Sequence, residues 1–182
     1  MKYLYLILAA SLIAVSASAQ TPEEVGMTRE QMESRHAERV QERAARHESD
    51  LRYMDSVVLS RNFQFTPDQF QQQPAGMMHS IYSILYYLSV RGDYVDIDMP
   101  YISGTVAPYR LTIMNYITFD VQNYTAVQDE DGWTISFSSN LYTTNKYTFT
   151  LKIYSVTREG VLDVSSQQYP TVTYYGTVSA IY

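Results

Sequence analysis

The feature that most constrains the fold is a two-residue alternation of apolar and polar side chains in residues 133–154. It occurs in two runs, 133–138 and 147–154, which are separated by a polar break at residues 139–146. Successive side chains of a β-strand point to opposite faces, so each run predicts a strand with one buried and one wetter face. Together they predict an antiparallel hairpin. An isolated hairpin is only marginally stable in water, so the rest of the chain must complete its sheet.

Residues 1–19 predict a secretory signal peptide. Lys2 supplies the positive start, residues 4–15 form an apolar core of twelve residues, and Ala17-Ser18-Ala19 is a small-residue cleavage site. Twelve apolar residues are too few to cross a bilayer, which takes about twenty, and no later segment is that long and uniformly apolar. We therefore expect a soluble mature chain that starts at Gln20 and is exported to the periplasm or the extracellular space.

Composition narrows the choice of partners. The chain has no cysteine, so we expect neither disulfides nor a lipid anchored on an N-terminal cysteine. Without Lys2, twelve Lys and Arg residues face nineteen Asp and Glu residues, which leaves a net charge of about −7. This balance argues against nucleic acid or an anionic membrane surface as the partner.

Residues 20–59 predict one long, charged helix. Thr28 and Gln31 have the spacing of a capping box. The apolar stripe is weak in its first half, so we expect only the last two turns to pack on the rest of the protein and the front half to be solvated. The residues of this stripe are Val40, Ala44, His47, Leu51, Met54 and Val58.

Residues 60–182 predict an antiparallel β-domain. We expect strand alternation at Phe63 and Phe65 to end at Pro67, a loop at residues 69–80, and a strand at residues 81–90. A turn at Arg91-Gly92-Asp93 then leads into an alternating strand at residues 94–99. Further predicted features are an irregular segment at 100–110, strands near 117–121 and 161–165, turns at 129–132 and 158–160, and one or two strands in 171–181.

This pattern predicts a mainly β fold, either a small antiparallel barrel of the lipocalin-like calyx type or a sandwich, with about seven to nine strands. We expect bulky inward side chains to close the interior, so that binding takes place on a rim formed by residues 69–80 and 100–110. The proposed inward residues are Tyr82, Ile84, Tyr86, Leu88, Val95, Ile97, Phe119, Trp133, Phe137, Phe149 and Leu151.

Four short segments, in this order, resemble a known family. They are Ser60-Arg61-Asn62-Phe63, Asp98-Met99-Pro100-Tyr101-Ile102-Ser103-Gly104, Gly132-Trp133-Thr134-Ile135-Ser136-Phe137 and Val172-Thr173-Tyr174-Tyr175-Gly176. The resemblance covers roughly residues 50–181 and is to domain-of-unknown-function family 4251, small exported proteins of gut-type Gram-negative bacteria. It implies a barrel-like antiparallel fold with an N-terminal helix. Residues 110–116 depart from the family pattern, and the family has no assigned activity to transfer.

Two carboxylate groups invite a chemical interpretation. Asp96 and Asp98 share a strand face, about 6–7 Å apart, beside Asp93, and such a pair could serve as an acid and a base or bind a hard cation. The alternative is a solvated outer face, which we prefer. Asp129 and Asp131 resemble a fragment of a calcium loop, but the ligand positions that follow fail, so we predict a plain turn.

The remaining short motifs are weak. His36 and His47 lie about 16 Å apart along a helix, too far to share a metal ion. His79, next to Met77 and Met78, could bind soft copper only with ligands from elsewhere. Arg91-Gly92-Asp93 spells an adhesion tripeptide, although a hairpin needs glycine there anyway. We expect no catalytic residue, metal site or cofactor.

Tyrosine is the compositional peculiarity, with eighteen in the chain. In a β-domain these rings pack across strands by default, but some could stack on sugars or line a cavity. The residues concerned are Tyr82, Tyr86, Tyr87, Tyr101, Tyr174 and Tyr175.

Three functions remain open. The first is a non-enzymatic binding module of the bacterial envelope with a tyrosine-rich ligand or partner surface. The second is an envelope interaction or assembly factor that docks through the helix in residues 22–50. The third, which we favour least, is a hydrolase that uses Asp96 and Asp98.

Overall fold

A computed structural model of the chain describes residues 28–103, 110–142 and 145–182. The predicted signal peptide therefore lies outside the described residues. The chain divides into two compact units, Met1–Arg46 and His47–Tyr182. Among the described residues, the helix α1 (Arg29–Ser60) contributes residues to both units.

The N-terminal end of α1 forms the predicted capping box. The backbone N–H of Thr28 donates to Gln31 Oε1 over 3.0 Å, and the N–H of Gln31 donates to Thr28 Oγ1 over 3.4 Å. Two backbone donors that a helix start leaves unpaired are thereby satisfied. All side chains from Thr28 to Ser49 are exposed, as the weak apolar stripe predicts.

The last turns of α1 belong to the core of the second unit. Met54, Val57 and Val58 are buried there. Of the predicted stripe, Leu51 is half-buried, whereas His47 is exposed. Packing by the last two turns is therefore confirmed, and the partly buried Tyr53 packs against the core beside the three buried residues.

In the described part of the chain, ten antiparallel strands follow the helix and form one sheet. The predicted mainly β fold after an N-terminal helix is confirmed, although the strand number exceeds the predicted seven to nine. The strands are β1 (Asn62–Gln72), β2 (Met78–Ser80), β3 (Tyr87–Arg91), β4 (Tyr94–Ser103), β5 (Arg110–Thr118), β6 (Gln122–Gln128), β7 (Gly132–Leu141), β8 (Asn145–Tyr154), β9 (Glu159–Ser166) and β10 (Val172–Ala180).

The strand order is β5-β4-β3-β1-β10-β9-β8-β7-β6, and β2 pairs with β1. The first and last strands therefore lie side by side in the middle of the sheet. Within the described residues β5 and β6 each pair on one side only, so the sheet is not closed. Thr118 of β5 nevertheless approaches Ser139 of β7, with 3.0 Å between their hydroxyl oxygens.

The hairpin that dominates the sequence pattern forms as predicted. Trp133 lies opposite Ile153, and Phe137 lies opposite Phe149, with all four side chains buried. The rings of Phe137 and Phe149 stack with 4.9 Å between centroids. The strands extend into the predicted polar break, because β7 continues to Leu141 and β8 starts at Asn145.

The prediction that Pro67 ends the first strand is wrong. Strand β1 continues to Gln72, with a register shift between Pro67 and Gln69 that accommodates the proline. Opposite the shift lies Gly176, where a Cβ atom would stand 2.1 Å from the carbonyl oxygen of Thr66. Glycine on the partner strand thus lets the backbones approach closely at the proline.

The predicted strand at residues 81–90 is also wrong in its first half. Strand β3 begins at Tyr87, and residues 81–86 are irregular. Conversely, β2 lies within the predicted loop at 69–80, where Phe70 of β1 pairs with His79. Residues 81–86 are apolar without a clear period, so the pattern could not fix their structure.

The predicted inward set is correct for seven residues and wrong for three. Tyr82 and Ile84 are exposed in the irregular segment, and Phe119 is exposed just beyond the end of β5. Tyr86 is half-buried. The seven buried members are Leu88, Val95, Ile97, Trp133, Phe137, Phe149 and Leu151.

The segment predicted to be irregular at residues 100–110 is instead strand over residues 100–103. Strand β4 runs through Pro100 to Ser103 and pairs with β5 up to Arg110. Residues 104–109 lie outside the described residues. The extension of β4 buries Tyr101. This residue lines the site described next.

Candidate functional site

A cleft lies where β4 and β7 end and β5 and β8 begin. Its volume is about 420 Å³. We call it the tyrosine cleft, because four of its nine lining residues are tyrosines. The lining residues are Tyr101, Ser103, Thr112, Ile113, Met114, Tyr142, Asn145, Tyr147 and Tyr169.

Strand pairing explains how these side chains meet. Tyr101 of β4 lies opposite Thr112 of β5, and Tyr147 of β8 lies opposite Ser166 of β9. The rings of Tyr101 and Tyr147 pack edge to face, with 6.0 Å between centroids. Both residues are only 3% exposed. The floor of the cleft is therefore built from two rigid aromatic side chains.

Two buried polar atoms in the cleft lack hydrogen-bond partners among the described residues. They are the Tyr101 hydroxyl and Asn145 Oδ1. Five side-chain atoms have this property in the described part of the protein, and these two share one cleft. A buried polar atom without a partner costs about 1–3 kcal/mol, so native structures contain few of them.

The neighbours of Tyr101 do not satisfy its hydroxyl. Burial is the main cause that raises the Tyr101 pKa and an interaction with the Ser166 side chain lowers it, but by distance and angle the Tyr101 hydroxyl has no hydrogen-bond partner among the described residues. Ser166 Oγ instead accepts from the backbone N–H groups of Gln168 and Tyr169. By contrast, the nearby Tyr174 hydroxyl donates to the Pro100 carbonyl over 2.8 Å. Of these two tyrosines, Tyr101 is therefore the one whose hydroxyl is unpaired; elsewhere among the described residues the Tyr124 hydroxyl is also unpaired.

The cleft is electrically neutral. None of its described lining residues carries a charge. Burial raises the pKa of the Tyr101 hydroxyl, with a further increase from Tyr147. Burial also raises the pKa of Tyr147. Both hydroxyls therefore stay protonated at neutral pH, where they can donate and accept hydrogen bonds but cannot act as bases.

The two stretches predicted to form a binding rim meet in a second, smaller cleft. It measures about 290 Å³ and joins His79 and Met77 from the first stretch to Ile102 from the second. Tyr101 and Ser103, also from the second stretch, line the tyrosine cleft instead. Gln69 and Met78 of the first stretch line a third groove, so the predicted rim is divided among three clefts.

Of the tyrosines singled out from the sequence, only Tyr101 lines the tyrosine cleft. Tyr82 is exposed, and Tyr175 borders a different groove. Tyr142, Tyr147 and Tyr169 were not singled out. Each lies near a break between strands, and that position is the only sequence signal that could have identified them.

The Asp96 and Asp98 carboxylates lie on the outward face of β4, and each accepts a hydrogen bond. Tyr87 donates to Asp96 over 3.0 Å, and Asn115 donates to Asp98 over 3.1 Å. Asp96 and Asp98 are half-buried, whereas Asp93 is exposed in the turn before β4. The pair is held by neutral partners on an outer face and lines none of the clefts described above.

The acidic segment at residues 129–132 is a turn, as predicted. Asp129 Oδ1 accepts from the backbone N–H groups of Asp131 and Gly132 over 3.0 and 2.9 Å. Lys152 Nζ lies 3.9 Å from Asp129 Oδ2 and 3.8 Å from Asp131 Oδ2. The carboxylates thus stabilise the turn into β7 and neutralise a lysine.

The histidines stay apart from one another and from the tyrosine cleft. His36 and His47 are exposed on α1, and the ring of His79 stacks on Phe70 with 5.0 Å between centroids. In the described part of the chain, no three His, Cys, Asp or Glu side chains are grouped so that they could hold a metal ion. Met77 and Met78 beside His79 are exposed.

The Arg91-Gly92-Asp93 tripeptide forms the tight turn between β3 and β4. Gly92 has φ 59°, in the left-handed region that glycine adopts without strain. Its N–H donates to the Arg61 carbonyl over 2.8 Å. The tripeptide therefore has a complete structural explanation as a turn.

The fold and the site define a small, mainly β protein with a preceding helix and an aromatic cleft at the ends of four strands. Among the described residues, no helix has the length and apolar character needed to cross a membrane. The family model for a domain of unknown function, DUF4251, matches residues 45–178. The chain belongs to this family, as the four sequence segments predicted.

A solved structure supports the fold. The crystal structure of a DUF4251 family protein from Bacteroides eggerthii matches with a TM-score of 0.56 and covers 72% of this chain and 88% of that chain. The two sequences are 13% identical, so this likeness concerns the fold alone. Among curated proteins, none matches this chain.

Proposed function

We propose that this protein is an exported, non-enzymatic binding module of the bacterial envelope and that its ligand occupies the tyrosine cleft. The observation that carries the proposal is the presence of two unpaired, buried polar atoms in one cleft, the Tyr101 hydroxyl and Asn145 Oδ1. Both atoms have almost no accessible surface, so a ligand that bonded to them would displace the side chains that cover them, and it would supply the hydrogen bonds that the described residues do not. Export is supported by the signal-peptide pattern of residues 1–19.

The size and rigidity of the cleft support binding of a small molecule. Its volume of about 420 Å³ falls in the range of small-molecule sites, which is roughly 300–1,000 Å³. The rings of Tyr101 and Tyr147 pack against each other and both residues are buried, so the floor of the cleft is preformed. A preformed site loses less conformational entropy when the ligand binds.

The chemistry of the lining supports binding without catalysis. The described lining contains no carboxylate, imidazole, amine or thiol. The raised pKa values of Tyr101 and Tyr147 keep both hydroxyls protonated, so neither is activated as a base or nucleophile at neutral pH.

Docking through α1 is a second candidate function. The observation in its favour is that every side chain from Thr28 to Ser49 is exposed, although helix propensity and a cap favour an ordered helix there. Such a helix could bind an envelope protein independently of the cleft. The truncation described in the Discussion tests whether these residues are dispensable for folding.

Ligand recovery with a blocked cleft tests the main proposal. The full chain and its Thr112→Trp variant would be expressed with native export, and the small molecules released on denaturation would be compared by mass spectrometry. Thr112 is exposed and lines the cleft, so the indole should occupy it at little cost to the core. The matched control is Ile117→Trp, an exposed position on the same strand outside the lining.

We expect a compound that accompanies the wild-type chain and the Ile117→Trp control but is depleted in Thr112→Trp. Equal recovery from all three proteins would contradict the proposal. So would an absence of any recovered compound combined with no change in melting temperature when envelope extract is added to the wild-type chain.

A further inference from the structure

We infer that the tyrosine cleft recognises a neutral sugar ring. This inference rests on the proposed function, in which the cleft is the ligand site, and it specifies the chemical class of the ligand. Six of the nine lining residues carry a hydroxyl group. These residues are Tyr101, Ser103, Thr112, Tyr142, Tyr147 and Tyr169.

Hydroxyl groups suit a polyhydroxylated ligand. Each can donate one hydrogen bond and accept others, and its hydrogen rotates to suit the partner. Sugar hydroxyls have the same dual capacity, so they match the hydrogen-bonding chemistry of the Tyr101 hydroxyl and of Asn145 Oδ1. A nucleobase offers donors and acceptors in fixed positions, and only the Asn145 amide in this lining has such a fixed pattern.

The aromatic side chains of the cleft suit the apolar face of a sugar ring. A pyranose has an apolar C–H face and a polar edge, so it can pack on an aromatic ring while its hydroxyls bond around it. Tyr142 is 47% exposed, although its ring also packs against Tyr116 with 5.3 Å between centroids, and Tyr169 is half-buried, so aromatic side chains line the cleft. Ile113 and Met114 extend the apolar part of the lining.

The neutral lining and the two unpaired polar atoms argue against the main alternative ligands. A phosphate, carboxylate or ammonium ligand would lose hydration in the cleft and find no opposite charge among the described lining residues. A fatty acyl chain would leave the Tyr101 hydroxyl and Asn145 Oδ1 unpaired. A neutral, hydroxyl-rich ring needs no counter-charge and offers hydrogen-bonding groups for both polar atoms.

A nuclear magnetic resonance titration of the full chain tests the inference. The probes are the methyl glycosides of glucose, galactose, mannose and N-acetylglucosamine, and methyl glucuronide provides a charged comparison of the same ring size. We expect saturable shifts confined to cleft residues with at least one neutral glycoside. Binding of the glucuronide should be at least about tenfold weaker, because its carboxylate has no counter-charge.

The Tyr101→Phe variant locates the interaction. It removes the unpaired hydroxyl and keeps the ring, so we expect the affinity for the sugar to fall about tenfold while the protein stays folded. The matched control is Tyr124→Phe, which removes another buried, unpaired hydroxyl that lies outside the cleft lining. That variant should bind the sugar as the wild type does.

The inference is overturned if no neutral glycoside shifts cleft resonances, if the glucuronide binds equally well, or if Tyr124→Phe weakens binding as much as Tyr101→Phe. If the cleft responds instead to adenosine or to a fatty-acid probe, the sugar inference fails and the proposed function stands. If ligand recovery is unaffected by Thr112→Trp, the proposed function itself fails.

Discussion

The indole Nε1 of Trp133 donates a hydrogen bond to Asp55 Oδ1 over 2.9 Å, which joins the last turns of α1 to the start of β7. The same carboxylate oxygen accepts from Gln128 Nε2 over 3.1 Å. Trp133 is 6% exposed and lies on the buried face of β7 with Ile135 and Phe137. One side chain therefore fills the core and also fastens the helix.

Replacing Trp133 separates these two contributions. Trp133→Ala should cost about 3–5 kcal/mol of unfolding free energy, because it leaves a large cavity. Trp133→Phe keeps most of the packing and leaves Asp55 bonded to Gln128, so it should cost clearly less. Urea denaturation measures both values. A loss below about 1 kcal/mol for the alanine variant would show that Trp133 is not a core residue.

Removal of residues 20–48 should leave the β-domain cooperatively folded. The described residues of this stretch are exposed, and the buried helix residues Met54, Val57 and Val58 are retained. Thermal unfolding followed by circular dichroism would show one transition near the wild-type temperature. As a comparison, Met54→Ala in the full chain should cost about 2–5 kcal/mol. Loss of the cooperative transition on truncation would show that the first half of α1 is needed for cooperative folding of the β-domain.

Two buried tyrosines should respond differently to removal of the hydroxyl. Tyr174→Phe loses the hydrogen bond to the Pro100 carbonyl and should destabilise the protein by about 1 kcal/mol. Tyr101→Phe removes a hydroxyl without a partner among the described residues, so stability should be unchanged or higher. Chemical denaturation of the two variants compares them directly, and equal losses would mean that the Tyr101 hydroxyl is paired in solution.

Stability should fall at alkaline pH. Burial is the main cause that raises the pKa values of Tyr101, Tyr124, Tyr147 and Tyr174 above their ordinary value. Above about pH 10 the unfolded chain releases these protons while the folded chain retains them, so rising pH favours unfolding. Each tyrosine contributes at most about 1.4 kcal/mol per pH unit.

Urea unfolding between pH 8 and 11 measures this loss. The stability contribution is fully present below the unfolded pKa near 10 and declines as the pH rises towards the folded values. Tyr174→Phe should reduce the slope relative to the wild type at the same pH values. A stability that stays constant to pH 11 would contradict the assigned burial of these hydroxyls.

Gly176 should tolerate no side chain. A Cβ atom there would stand 2.1 Å from the Thr66 carbonyl oxygen and 2.8 Å from Pro67 Cα, and both of these are backbone atoms. Gly176→Ala must therefore shift β1 away from β10, and we expect a loss of several kcal/mol. Gly92→Ala is a useful contrast, because it has no steric neighbour within 4 Å and strain only from φ 59°. The contrast should be visible in melting temperatures, and equal losses would refute the steric explanation.

Sequence patterns predicted the parts of the fold that depend on alternating burial or on residues close together in the chain. The hairpin of β7 and β8 and the capped start of α1 are of this kind, since each depends on local periodicity or on residues three positions apart. The continuation of β1 past Pro67 could not be predicted, because it depends on Gly176 far away in sequence. The apolar run at residues 81–86 carried no period that could distinguish strand from irregular structure.

The candidate site was predicted only in part for a similar reason. Tyr101, Tyr142, Tyr147 and Tyr169 come from four separate segments, and only the strand order brings them together. Tyr101 was singled out as one tyrosine among several, but nothing local to it revealed that its hydroxyl is buried without a partner. Such a property arises from long-range packing.

Because β1 pairs with β10 at the centre of the sheet, the two halves of the sheet are joined only when β10 is present. Phe63, near the start of β1, pairs with Ala180 at the end of β10. The arms β3–β5 and β6–β9 can form from local hairpins, but they cannot be joined until residues 172–180 are available. A chain that is cleaved or terminated before β10 exposes two unpaired strand edges, one on β1 and one on β9. Such edges can pair with other chains, so the truncated protein should be prone to aggregation.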